Sequence, residues 1–206
     1  MFSEYYYNIF VGSIKDYHDI DSVEAVLNNP FADNSPEYIF YKKNWIDTVQ
    51  WHLEDLIRDP DIVSDYALTI KRRIDRLNQE RTDIVELVDD YFLNLFNNVI
   101  VEENARHNTE SLGWAFDRLS ILALKEYHVE AELKRKDALD YHINRCLSRR
   151  AILLDQKNDL LKSINWLIDD IRIGKKINKV YRQLKMYNDI SFNPILYNKY
   201  DLNKEV

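Results

Sequence analysis

Residues 67–95 read ALTIKRRIDRLNQERTDIVELVDDYFLNL, and this stretch decides the fold class. Ala67, Ile70, Ile74, Leu77, Arg81, Ile84, Val88, Tyr91 and Leu95 follow one another in steps of three and four. Steps of that size return side chains to one side of an α-helix, whereas a strand would alternate every second residue. A sustained seven-residue repeat lets helices lie side by side at a shallow angle. The spacing predicts a helix that begins near 62–65 and runs to about 96. One position of its apolar seam, Arg81, is charged.

The reading extends outward from this helix in both directions. On the N-terminal side, Ser35-Pro36 is a helix start, with Ser as the cap and Pro at the first turn, where its missing N–H is harmless. That helix is predicted over 36–59, stopped by Pro60. Before it lie an aromatic helix over 2–18 and a connector over 21–34 containing Asn28-Asn29-Pro30. On the C-terminal side, 97–108 is a polar loop and Thr109 is the predicted cap of a fourth helix reaching about 135. Its centre, WAFDRLSILAL over 114–124, is apolar around most of its circumference, which marks a central helix. Asp137 is the predicted cap of a fifth helix, with a seam through Leu139, Ile143, Cys146, Arg150, Leu153, Lys157, Leu160, Ile164, Leu167 and Ile171, ended by Gly174. A shorter helix over 176–187 and an irregular tail from Ser191 complete the chain. The fold class expected is all-α, an antiparallel bundle of four to five long helices plus a short C-terminal helix and irregular tail, in a single domain over 1–206.

Composition agrees with few, long elements. The 206 residues contain only 3 Gly and 4 Pro, too few for the many turns of a strand-rich fold. Cys146 is the single cysteine, so no disulfide forms within the chain, and its place in an apolar seam reads as a small core residue with no surrounding pattern that suggests a nucleophile. The first residues, Met1-Phe2-Ser3-Glu4, lack a basic start and an apolar run, so no signal peptide is expected. No run reaches the roughly 18 apolar residues of a membrane span. A net charge of -7 argues against nucleic acid and anionic membranes as partners. A cytoplasmic location is expected.

Four stretches carry a resemblance: YKKNWIDTVQWHLEDLIRDP over 41–60, KRRIDRLNQERTDIVELVD over 71–89, NTESLGWAFDRLSILALKEYH over 108–128 and VYRQLKMYNDISFNPILY over 180–197. They resemble the bacterial family known as domain of unknown function 4254, found mostly in Bacteroidetes. The resemblance implies a bacterial cytoplasmic protein. It implies no activity, cofactor or catalytic residue.

Candidate chemistry begins at Arg81. A guanidinium keeps its charge, so in an apolar seam it either reaches solvent at a groove edge or demands carboxylate or carbonyl partners, and Asp117, inside the most apolar segment, has the complementary need. Arg81 is expected to pair with Asp117 or Glu110. A polar pocket between the second, third and fourth helices would be built from Gln50, His52, Glu54, Arg81, Asp117, Arg118 and His128. Gln50, His52, Arg81, Asp117 and Arg118 are the expected ligand-binding residues, with Arg81 and Arg118 on an anion, and Glu54 and His128 are the expected acid–base pair. Asp117 and His128 are three turns apart, roughly 16 Å, so they do not share one small ligand. No metal site is expected: His128-x-Glu130-x-Glu132 does not gather on one helical face. Glu86-x-x-Asp89 has the spacing of half of the acidic motif of all-α nucleotide pyrophosphohydrolases, but the preceding helix lacks the other half. No cofactor is indicated.

Lys175, Lys179, Arg182 and Lys185 would share one face of the short helix, a local basic surface in an acidic protein. The partners implied are an anionic small molecule, phosphorylated or a nucleotide sugar, and a second copy of the chain through bundle faces. The competing reading is a non-catalytic interaction or scaffolding module. Fold does not arbitrate between them.

Overall fold

The computed structural model describes residues 2–33 and 35–200. Five long helices carry the fold: α1 (Phe2–Ile20), α2 (Pro36–Leu56), α3 (Ser64–Leu95), α4 (Leu112–Leu133) and α5 (Asp140–Arg172). A 3-10 turn (Met186–Asn188) and a short α6 (Pro194–Tyr200) follow. The helices pack on one another as a bundle, in accord with the fold class read from the sequence. No described helix is long and apolar enough to cross a membrane.

The caps confirm some starts and move others. Ser35 Oγ accepts from the Tyr38 N–H at 3.1 Å, with Pro36 at the first turn. The cap of α4 is Ser111 rather than Thr109: its Oγ accepts from the Trp114 N–H and donates to Asp89 at 2.7 Å, which fixes the entry of the chain. Asp137 does not cap α5 either. It is held by Arg135 at 3.1 Å, and the cap position falls on Leu139, which has no side-chain bond to offer.

Direction follows from which residues meet. Arg81 of α3 meets Asp117 of α4, and further along α3 Asp89 meets Ser111, so these two helices are antiparallel. The pairs Gln50–Asn78 and Arg81–Asp47 make α2 and α3 antiparallel, and Lys157–Glu126 and His142–Glu132 do the same for α4 and α5. The first helix differs. Tyr6 stacks on Phe40 and Tyr17 on His52, so α1 runs parallel to α2. A connector of about fifteen residues can span some 50 Å when extended, enough to return along a helix the length of α1. Arg73 of α3 pins that connector at Glu24 and at the Val23 carbonyl. As a result α1, α2 and α4 point one way, and α3 and α5 the other.

The core between them is strongly aromatic. Phe10, Tyr17, Phe40, Tyr41, Phe92 and Phe116 are fully buried, with Tyr6 stacked on Phe40 at 3.8 Å and Phe116 edge-on to Phe40 at 4.9 Å. Offset and edge-on pairs of this kind add to plain area burial. Cys146 is buried, as its seam position implies.

The predicted helix over 176–187 does not form. Gly174, at φ +80°, ends α5, and a Cβ there would stand 2.3 Å from the Ile100 carbonyl oxygen. Beyond it the backbone pairs with the 97–110 loop: Glu102 N–H donates to Gly174 O at 2.9 Å and Ile177 N–H to Arg106 O at 3.0 Å. The chain then crosses α3, where Asn178 donates to the Phe92 carbonyl at 3.1 Å and Lys185 to the Asn78 carbonyl at 2.7 Å. Arg182 meets Asp90 at 2.5 Å and Glu86 at 3.4 Å. The expected basic helical face is therefore absent: Arg182 ties an extended strap to carboxylates of α3, and Lys185 ties it to an α3 carbonyl.

Candidate functional site

Four charged side chains lie together where α2, α3 and α4 meet. Asp117 receives Arg81 Nε at 2.8 Å on Oδ1 and Arg81 Nη2 at 2.5 Å on Oδ2, a two-pronged pairing, and Lys43 Nζ lies 2.8 Å from the same Oδ1. Asp47 is bonded by Lys43 one helical turn earlier and by Ser120 Oγ at 2.6 Å, with Arg81 Nε 3.4 Å away. Asn44 completes the shell, donating to Ser120 Oγ at 3.0 Å. Lys43, Asp47 and Asp117 are buried, whereas Arg81 keeps a quarter of its side chain exposed.

Two cations and two carboxylates balance, which makes burial tolerable. Burial works to raise the Asp117 carboxyl, but Lys43 and the Arg81 fork outweigh it and hold it below the usual range. Burial dominates at Asp47 and raises it despite Lys43. The cluster thus keeps Asp117 as the firm anion under Arg81.

Arg81 forms the floor of a cleft of about 300 Å³ lined by Asp47, Gln50, Trp51, Glu54, Asp55, Arg58, Ile121 and Leu124. Gln50 donates to Asn78 at 3.0 Å, while its Oε1 is buried with no hydrogen-bond partner among the described residues. Glu54 pairs with Arg58 at 2.6 Å at the rim.

The expected site residues divide into three groups. Gln50, Glu54 and Arg81 line the cleft, with Asp117 directly beneath. Arg118 is exposed, pairs with Glu110 at 3.1 Å and borders other recesses of the surface. His52 and His128 lie on the far side of Trp51, whose indole stacks on His128 with centroids 4.6 Å apart. There they meet a residue the sequence reading missed, His18 of α1, with His52 Nε2 and His18 Nε2 3.1 Å apart. Burial lowers both imidazoles, that of His128 to about 4. They are neutral near pH 7.

Lys43, Asp47, Asn44 and Ser120 were also missed as parts of the charge cluster. The one signal for them was spacing: Lys43 and Asp47 stand four apart, on the flank of α2 that faces α4. The acidic motif half at Glu86 and Asp89 has structural partners. Asp89 accepts from Gly113 N–H and Ser111 Oγ, both at 2.7 Å, and Glu86 from the Gln183 N–H at 2.9 Å. Cys146 has a histidine close by that the sequence reading passed over, His142 one turn earlier, whose Nε2 lies 3.4 Å from the thiol sulfur and 2.7 Å from Glu132.

A family model described as protein of unknown function (DUF4254) matches residues 37–180. No curated protein and no solved structure matches the chain.

Proposed function

The chain belongs to the DUF4254 family, and we propose that it binds a small phosphorylated molecule, a sugar phosphate or the sugar-phosphate end of a nucleotide sugar, in the cleft between α2, α3 and α4. The matched segment contains every residue of the charge cluster and of the cleft. The observation that carries the proposal is the unfinished polarity of the cleft floor. Buried ion pairs seldom stabilise a fold more than well-packed apolar residues would, yet this one reaches the cleft through Arg81, a quarter of whose side chain is exposed, beside Gln50 with a buried oxygen that has no hydrogen-bond partner among the described residues. Places where packing rules lapse are where function is sought.

The chemistry of the lining fits a ligand with an anionic group and hydroxyls. Arg81 and Arg58 offer guanidinium N–H groups to phosphate oxygens. Gln50 Oε1, Glu54 and Asp55 accept from hydroxyls, and Ile121 and Leu124 cover an apolar sugar face. A volume of about 300 Å³ lies at the small end of ligand sites, so a hexose phosphate fits and the nucleoside of a nucleotide sugar would project outward. Glu54 is the carboxylate placed to exchange a proton with such a ligand. His128 is separated from it by Trp51.

A thermal-shift and calorimetric screen with hexose phosphates, UDP-sugars and inorganic phosphate tests this reading. Hexose phosphates are expected to raise the unfolding midpoint, because a ligand that binds only the folded state stabilises it. Gln50→Leu and Arg58→Ala are each expected to weaken that binding by about tenfold, the loss of one hydrogen bond to a charged or buried partner. A midpoint that no compound moves, or equal binding by both variants, refutes it.

One observation favours a second reading, an interaction module. Along one side of α5, Tyr141, Ile152 and Trp166 are exposed, Trp166 by 65%. Exposed large apolar groups in such a row mark contact surfaces, and a second copy of the chain is the partner proposed.

A further inference from the structure

We propose that His18, His52 and His128 form a binding site for a divalent transition-metal ion of the zinc class. The three residues come from α1, α2 and α4, the helices that share one direction. Each stands sixteen residues beyond the start of its helix, His18 from Phe2, His52 from Pro36 and His128 from Leu112, so all three reach the same height in the bundle.

The geometry is that of a coordination triangle. One nitrogen from each imidazole lies within 4.8 Å of the other two. The ring centroids are 5.1, 5.5 and 5.7 Å apart, and the rings are inclined to one another by 64° to 72°. A tetrahedral ion with Zn–N bonds of about 2.0–2.1 Å sets its ligand nitrogens about 3.3 Å apart and the imidazole centroids about 5 Å apart. The His18–His52 separation of 3.1 Å is already close to that value, and a small turn of His128 closes the triangle.

The surroundings prepare the rings for ligation. His18 Nδ1 lies 2.7 Å from the Ile14 carbonyl oxygen. A proton donated there leaves Nε2 with its lone pair toward the cluster, the support that metal-bound histidines commonly have. Each ring is held by an aromatic neighbour: Tyr127 against His18 at 4.1 Å, Tyr17 on His52 at 5.2 Å and Trp51 on His128 at 4.6 Å.

An independent observation separates this arrangement from a hydrogen-bonded histidine cluster. His128 Nε2 is buried and has no hydrogen-bond partner among the described residues. A buried polar nitrogen left unpaired is destabilising, and a ligand there would relieve it. Imidazole nitrogens suit zinc, copper, nickel and iron over magnesium or calcium. Three protein ligands leave a fourth position for water or a small ligand. The phosphate cleft lies across Trp51, so the two proposals stand or fall separately.

Chelator-treated protein titrated with Zn²⁺ by calorimetry is expected to bind one ion per chain, and Co²⁺ in its place to develop the visible absorption of a tetrahedral complex. His52→Ala and His128→Ala are each expected to weaken Zn²⁺ binding by about 100-fold or more, beyond the loss typical of supporting residues, while His107→Ala and His142→Ala leave it unchanged. Anomalous scattering from a Zn²⁺-soaked crystal locates the ion whether or not a variant folds. Failure to bind at one-to-one stoichiometry, an ion found at His142 and Cys146 instead, or unchanged affinity in the folded His52 and His128 variants each overturns the assignment.

Discussion

Asp117 is paired with both Lys43 and Arg81, and its removal would leave the buried Lys43 and the partly exposed Arg81 with Asp47 as their remaining carboxylate. Breaking a buried pair by deleting one partner costs about 3–5 kcal/mol, far more than the pair contributes over an apolar replacement. Asp117→Ala is therefore expected to lower stability by about that amount, read as a shift of the urea midpoint with an unchanged slope. The Arg81–Asp117 half of the cluster was legible in the sequence, because each residue interrupts an apolar pattern and each needs the other's charge. Lys43 and Asp47 were not. They sit in a run with other polar residues, and a lysine usually reaches water; here the close approach of α4 closes over it.

Between helices, α3 and α4 approach closely at Gly113. A Cβ at this position would stand 2.5 Å from the Val85 carbonyl oxygen and 2.7 Å from the Asp89 carboxylate. Both groups belong to the rigid body of α3, and Asp89 is held by its bonds to Ser111 and Gly113. Gly113→Ala, a substitution that normally favours a helix, is expected instead to destabilise by about 1–3 kcal/mol through overpacking. Its thermal midpoint should fall by about 2–4 °C for each kcal/mol, and a midpoint at or above the wild-type value would refute the close packing. The 176–187 segment is lost to helix for a related reason. Its backbone groups find partners in the 97–110 loop and on α3, where Arg182 also finds carboxylates and Lys185 a carbonyl. Residue spacing alone does not distinguish that strap from a helix.

For the molecule as a whole, the decisive feature is that α1 doubles back to lie parallel to α2. That brings the ends of α1, α2 and α4 together and with them three of the five histidines. Across the bundle, α5 packs on α4 and α1 but buries few side chains, among them Cys146, Ile164, Ile168 and Ile171. Symmetric pairing of two such faces is the commonest way for a chain to self-associate. Sedimentation equilibrium is expected to show a concentration-dependent dimer that Trp166→Glu weakens, and a strictly monomeric chain at all concentrations would remove the interaction reading.

The apolar spacing of residues 67–95 and 139–171, with the scarcity of Gly and Pro, was enough to determine a bundle of long helices, since periodicity and turn-forming capacity are local properties of a chain. It also pointed to a carboxylate for Arg81, because a charge in an apolar seam must either reach water or find a partner. Helix direction, the cleft over Arg81 and the convergence of His18, His52 and His128 were decided by tertiary structure. Each depends on contacts between residues on different helices, 10 to 110 positions apart, and no local pattern records which ends of those helices meet.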